Sequence, residues 1–246
     1  MQGPTMDRRL LLASGALAGL AGLTGCGSRP IGRRYEMEVS LSDAGRRLAS
    51  SVVQRFVFQE DKGGIVEPTT ALYGPEGRTA TIRLSSGGVV ATLFRGLGES
   101  GSSRQPFFDG QHLERDSWIP LEPLARVFLP EAGRNLDRFS RWRSVLDLPP
   151  SSAWVDLLYS EMPLLVRFRD PTDGSSVEWV DPENSGSLNP IRIRIRLTEE
   201  PITRTPLGRD LPWMLETEPS RALLLGNQAN PKRLAELLYL SDFKRG

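Results

Sequence analysis

Ile191-Arg192-Ile193-Arg194-Ile195-Arg196-Leu197 is the stretch on which the reading of the fold turns. An extended strand sends successive side chains to opposite faces, so this alternation sorts the aliphatics onto one face and the arginines onto the other. A helix of 3.6 residues per turn would scatter both classes around its axis. Tyr35, Met37, Val39 and Leu41 alternate in the same way with Glu36, Glu38 and Ser40. The two segments therefore predict half-buried strands, one near each end of the chain.

Around these two segments, short apolar runs alternate with turn residues. Ser42-Asp43-Ala44-Gly45 reads as a turn before the run Val52, Val53, Phe56, Val57 and Phe58. Asp61-Lys62-Gly63-Gly64, Gly74-Pro75-Glu76-Gly77 and Ser85-Ser86-Gly87-Gly88 punctuate the segments that follow. Ala80, Ile82 and Leu84 alternate, and Val89 to Phe94 is continuously apolar. Such spacing predicts antiparallel strands. Strand character returns at Leu164–Arg169 and Val177–Val180. The middle, about 96–160, reads as a loop and helical insertion, with apolar faces at Leu121, Leu124, Ala125, Phe128 and at Leu136, Phe139, Trp142, Val145, Leu146. Pro149-Pro150 closes it. Asn230 and Pro231 predict the start of a helix running to Leu240. The expected fold is α+β, mainly an antiparallel β sandwich or partial barrel with a few short helices. It forms a single domain over residues 35–215, followed by a tail at 216–246.

The chain has 246 residues, with 31 basic against 30 acidic side chains, one Cys and one His. This balance gives no electrostatic case for a nucleic-acid partner. A disulfide scaffold and a multi-Cys/His zinc site are excluded. Of the basic residues only Lys62, Lys232 and Lys244 are lysines, a bias that a GC-rich genome explains.

Residues 1–25 read as an export signal. Arg8 and Arg9 precede an uncharged stretch from Leu10 to Leu23. As a helix those residues would reach about 21 Å, short of the ~30 Å hydrocarbon core, which suits a signal peptide rather than a spanning helix. The stretch ends in Leu23-Thr24-Gly25-Cys26, which resembles the lipobox of bacterial lipoproteins. That resemblance implies cleavage before Cys26 and a diacylglyceryl thioether on it, with residues 26–34 as tether. Gly27, in place of the Asp that retains lipoproteins in the inner membrane, implies outer-membrane sorting. Asp7-Arg8-Arg9-Leu10-Leu11-Leu12 is similar to the twin-arginine export pattern, so two export routes stay open. Met6 is an alternative start. Loss of the leader brings the formal charge to zero, which leaves attachment to the acyl chains.

Further phrases carry a broader resemblance. They are Tyr35–Leu41, Ala49–Val53, Gly77–Ala80, Val89–Leu93, Pro163–Asp170, Ser176–Pro182, Ile191–Arg196, Thr198–Thr203 and Leu211–Trp213. The set is similar to a group of uncharacterised proteobacterial lipoprotein-like proteins. It implies export and a single domain and carries no catalytic residue.

Chemistry-bearing motifs are few. Gly96-Leu97-Gly98-Glu99-Ser100-Gly101, with Asp116 beyond it, matches a dinucleotide fingerprint, but Ser102-Ser103-Arg104-Gln105-Pro106 is a poor helix start. His112 near Ser100, Ser102 and Ser103 lacks the strained elbow of a serine hydrolase. Asp170, Asp173, Asp181 and Glu183 suit turns better than a calcium loop. Glu178 with Asp181 is one of many carboxylate pairs that a glycosidase dyad would need. The five tryptophans are scattered and predict packing, not a stacking platform. Arg192, Arg194 and Arg196 form a candidate anion-binding stripe for phosphate-bearing envelope glycans, lipid A or an acidic protein. The same arginines would instead face solvent or pair across strands with Glu36 and Glu38. No cofactor, metal or catalytic residue is expected. The expectation is a lipid-anchored envelope protein on the periplasmic face of the outer membrane, a non-enzymatic binding or scaffold module with a protein or glycan partner. A carrier or chaperone for an apolar ligand is the alternative, and an envelope hydrolase ranks third.

Overall fold

The computed structural model describes residues 31–61, 69–96, 120–216 and 243–245. The chain divides into two compact units, Met1–Pro30 with Phe58–Leu72 and Ile31–Val57 with Tyr73–Gly246. The strands are β1 (Ile31–Asp43), β2 (Arg46–Asp61), β3 (Thr69–Arg78), β4 (Thr81–Arg83), β5 (Val89–Gly96), β6 (Val155–Asp156), β7 (Pro163–Phe168), β8 (Val177–Val180), β9 (Arg192–Leu197) and β10 (Lys244–Arg245). The helices are α1 (Leu121–Phe128), α2 (Glu131–Arg134), α3 (Arg138–Leu146) and α4 (Trp213–Glu216). One sheet has the order β10-β3-β2-β1-β9-β6 and the other β4-β5-β7-β8. This is the expected α+β architecture, a sandwich or partial barrel that does not close.

Each strand follows from its side chains. In β1 the residues Tyr35, Met37, Val39 and Leu41 are buried, and in β9 so are Ile193, Ile195 and Leu197. The two pair antiparallel with Met37 opposite Ile195, which lines up both apolar faces. Ala44 and Gly45 take φ of 49° and 77°, the left-handed pair that a two-residue hairpin needs. The turn is thus tighter than Ser42–Gly45, since Asp43 still belongs to β1. Strand β5 is buried on both faces, through Val89, Ala91 and Leu93 on one and Val90, Thr92 and Phe94 on the other. That explains its unbroken apolar run.

Four expectations need correction. Strand β1 starts at Ile31, so residues 31–34 are strand and not tether. Arg34 is held to the end of β9, where its C=O accepts from Thr198 N–H at 3.2 Å and its Nη1 donates to Glu199 O at 2.6 Å. Gly74-Pro75-Glu76-Gly77 lies inside β3 and turns nothing. Gly77, at φ +117°, is needed for clearance, because a Cβ there would meet Ile202 Cγ2 at 3.1 Å and Val53 O at 3.3 Å. The second helical segment starts at Arg138, because Asp137 Oδ1 caps it by accepting from Ser140 N–H at 3.1 Å. Leu136 falls before that cap and is exposed. Finally, the domain does not stop at 215. Phe243 is fully buried, and β10 pairs with β3.

Phe243 belongs to a core on one face of β5 and β7. Val89, Ala91, Leu93, Leu164, Val166 and Phe168 form its floor, covered by Leu207, Leu211, Trp213, Met214 and Phe243. The expected helix at Pro231–Leu240 lies outside the described residues. Among the described residues, no helix is long and apolar enough to cross a membrane.

Candidate functional site

The arginine face of β9 is a charged surface that the fold assembles from distant sequence. The β1–β9 register sets Glu36 opposite Arg196, Glu38 opposite Arg194 and Ser40 opposite Arg192. Arg194 donates through Nε and Nη2 to the two carboxylate oxygens of Glu38, both at 3.0 Å. This two-pronged contact is the geometry in which guanidinium and carboxylate bind best. Arg196 Nε donates to Glu36 Oε2 at 2.6 Å, and Ser51 Oγ donates to the other Glu36 oxygen at 2.5 Å. Arg47 lies 3.9 Å from Glu38. Arg192 is exposed and only 3.7 Å from Asp156.

The face is completed from the middle of the chain. Strand β6 sets Val155 opposite Ile195 and Asp156 opposite Arg194, so Trp154 comes up beside the arginines. The guanidinium carbons of Arg194 and Arg196 stand 4.5 and 4.7 Å from its ring centroid, a cation–π stack. Hydrogen bonding and attraction to Glu38 hold the Arg194 guanidinium above its usual pKa, against some desolvation. Arg194 and Arg196 are thus engaged in their planes by carboxylates and on a face by Trp154. The geometry supports the cross-strand ladder over the anion-binding stripe. The alternation showed Glu36 and Glu38 as partners, but Trp154 had no signal in the sequence.

Asp170, Asp173 and Asp181 have local roles. Asp170 Oδ1 accepts from Thr172 N at 2.8 Å and Oγ1 at 2.7 Å, which lowers its pKa. Asp173 Oδ1 accepts from Ser175 N at 2.8 Å, and Asp181 Oδ1 from Glu183 N at 3.0 Å. These are side-chain turn closures, as expected of Asp in such loops. Glu178 is gripped by Arg167, its cross-strand neighbour, and by Arg169 Nε at 2.8 Å. A carboxylate so held is a poor member of a dyad with Asp181.

A second polar cluster escaped sequence reasoning. Arg78, nearly buried, donates through Nη2 to Thr81 Oγ1 at 2.8 Å and Asp210 Oδ2 at 3.3 Å, and through Nε to Thr79 O at 3.2 Å. Thr81 Oγ1 donates to Asp210 Oδ2 at 2.7 Å. This knot ties the 205–210 segment to the β3–β4 corner, beside the pairing of Arg78 with Lys244. Above it, Phe243 stands 5.9 Å from Phe168 and 6.2 Å from Trp213, and those two rings are 5.7 Å apart.

Leu23, Thr24, Gly25 and Cys26 lie outside the described residues, as do Gly98 to Asp116 with His112. Among the described residues no three His, Cys, Asp or Glu side chains cluster as a metal site. Comparison with family models, curated proteins and solved structures finds no match. The lipoprotein-like resemblance therefore rests on the quoted sequence phrases.

Proposed function

We propose that this chain is an exported, lipid-anchored protein of the bacterial cell envelope whose folded body is a non-enzymatic binding or scaffold module. The observation that carries the reading is the order of its N-terminus: Arg8-Arg9, the uncharged stretch Leu10–Leu23, then Thr24-Gly25-Cys26. Small side chains before a cysteine admit the backbone to a peptidase, and the thiol accepts the lipid. Strand β1 begins at Ile31, and five residues cover at most about 18 Å when fully extended. Acyl chains on Cys26 would then hold the end of an interior strand of the larger sheet close to the bilayer. Gly27 supports outer-membrane sorting.

The test is expression of the full chain in a Gram-negative host. Intact-mass analysis and detergent phase partition should show a mature chain starting at Cys26, carrying acyl mass and partitioning with membranes. Cys26→Ser should lose both properties, and Gly27→Asp should move the protein to the inner membrane. An unprocessed, unacylated chain in the soluble fraction would defeat the proposal.

A further inference from the structure

We propose that the edge of β3, together with the aromatic pocket of Phe168 and Trp213, is a strand-addition site for an extended peptide of a partner protein, and that Phe243–Arg245 is its built-in occupant. Without β10, β3 would be the outer strand of the larger sheet. The occupant binds by backbone, with Lys244 paired to Arg78, Arg245 paired to Gly77 and the Phe243 C=O accepting from Thr79 N–H at 2.9 Å. Main-chain pairing of this kind accepts many sequences, and selectivity falls to the pocket that takes a side chain.

Here the pocket takes one ring. Phe243 is fully buried against Phe168 and Trp213 on the floor of β5 and β7. The chemistry that fits is therefore an extended segment with Phe, Tyr or Trp at the position of Phe243. Exchange leaves the backbone pairs of the other described strands in place, and the incoming ring takes over Phe243's share of the cover on β5 and β7. The β4-β5-β7-β8 sheet contains no tail residue, and the Arg78–Thr81–Asp210 knot holds the 205–210 segment without help from residue 243. The sequence places residues 217–242 between α4 and the docked segment, so cis occupancy competes with a trans peptide through effective concentration. The inference rests on the binding-module part of the proposed function and is independent of the lipid anchor.

The probe is a fluorescent synthetic peptide of residues 241–246, Ser-Asp-Phe-Lys-Arg-Gly, and a version with Ala for Phe. Three full chains are compared: the native one, Phe243→Ala, and one carrying a protease site within residues 217–242, cut after purification. The native-sequence peptide should bind the cut and Phe243→Ala chains saturably, at least about tenfold tighter than the uncut chain and tenfold tighter than the Ala peptide, each factor being about 1.4 kcal/mol. Equal binding of both peptides, or of cut and uncut chains, would overturn the site. So would a cut chain that loses its circular dichroism and does not recover it with peptide. A dimer of the uncut chain that disappears in Phe243→Ala would overturn the partner assignment, because the occupant would then be a second copy's tail.

Discussion

Neutralising Glu38 should weaken this protein through its register with β9. Arg194 grips Glu38 with two contacts at 3.0 Å, while the side chains remain 33% and 19% exposed. A cross-strand ion pair is worth roughly 0.2–1 kcal/mol. The two-pronged geometry argues for the upper end, and solvent screening of a third-exposed guanidinium argues against anything larger. Glu38→Gln should therefore cost about 1 kcal/mol, lowering Tm by about 2–4 °C for a chain of this size. Glu36→Gln/Glu38→Gln should reach about 1–2 kcal/mol, because each carboxylate has its own arginine. The assay is urea unfolding of Glu38→Gln, Arg194→Gln and the double variant, at about 0.1 and 1 M salt. Raising salt over that range shortens the screening length from about 10 Å to 3 Å and should shrink the coupling. Exchanging Glu36 and Glu38 for Arg, and Arg194 and Arg196 for Glu, should restore most of the loss in the fourfold variant. A Glu38–Arg194 coupling below about 0.3 kcal/mol, within ordinary additivity error, would refute the ladder as a source of register.

Other substitutions probe other parts of the fold. Tyr35→Phe strands the buried Gln54 Oε1, which accepts from the Tyr35 hydroxyl at 2.5 Å, and should cost about 1–3 kcal/mol in a denaturant melt. Burial also raises the Tyr35 pKa, so in alkaline ultraviolet titration one of the four tyrosines should stay protonated until the chain unfolds. Gly77→Ala, with φ +117° and contacts at 3.1 and 3.3 Å, should cost about 1–3 kcal/mol by the same melt. Asp43 accepts from Ser85 N–H at 2.5 Å, and that bond lowers its pKa. Its contribution should be present above the unfolded carboxylate value of about 3.9 and fade as pH falls through the lower folded value. The wild-type advantage over Asp43→Asn should thus be flat near neutrality and vanish in acid melts. Phe168→Ala, which empties a fully buried site, should cost about 3–5 kcal/mol. Phe243→Ala should cost no more than undocking of the tail.

The alternations in Tyr35–Leu41 and Ile191–Leu197 determined two strands and their buried faces, because a period of two has one geometric solution in an extended chain. Turn chemistry likewise placed the breaks around residues 44–45 and 85–87, and Asp170, Asp173 and Asp181 close the local turns expected of them. These are short-range effects, decided within a few bonds of the residues concerned. The partner of each strand belongs to tertiary structure, since a strand's pattern states which face is apolar but not what lies beside it. Glu36 and Glu38 were legible as partners of the arginines only as one alternative; packing of both apolar faces on a shared core chose it. Trp154, the Arg78–Thr81–Asp210 knot and the burial of Phe243 carry no periodic signal at all. A phenylalanine between Asp242 and Lys244 looks the same in sequence whether it meets water or a pocket, and only Phe168 and Trp213, brought together by the fold, make the difference.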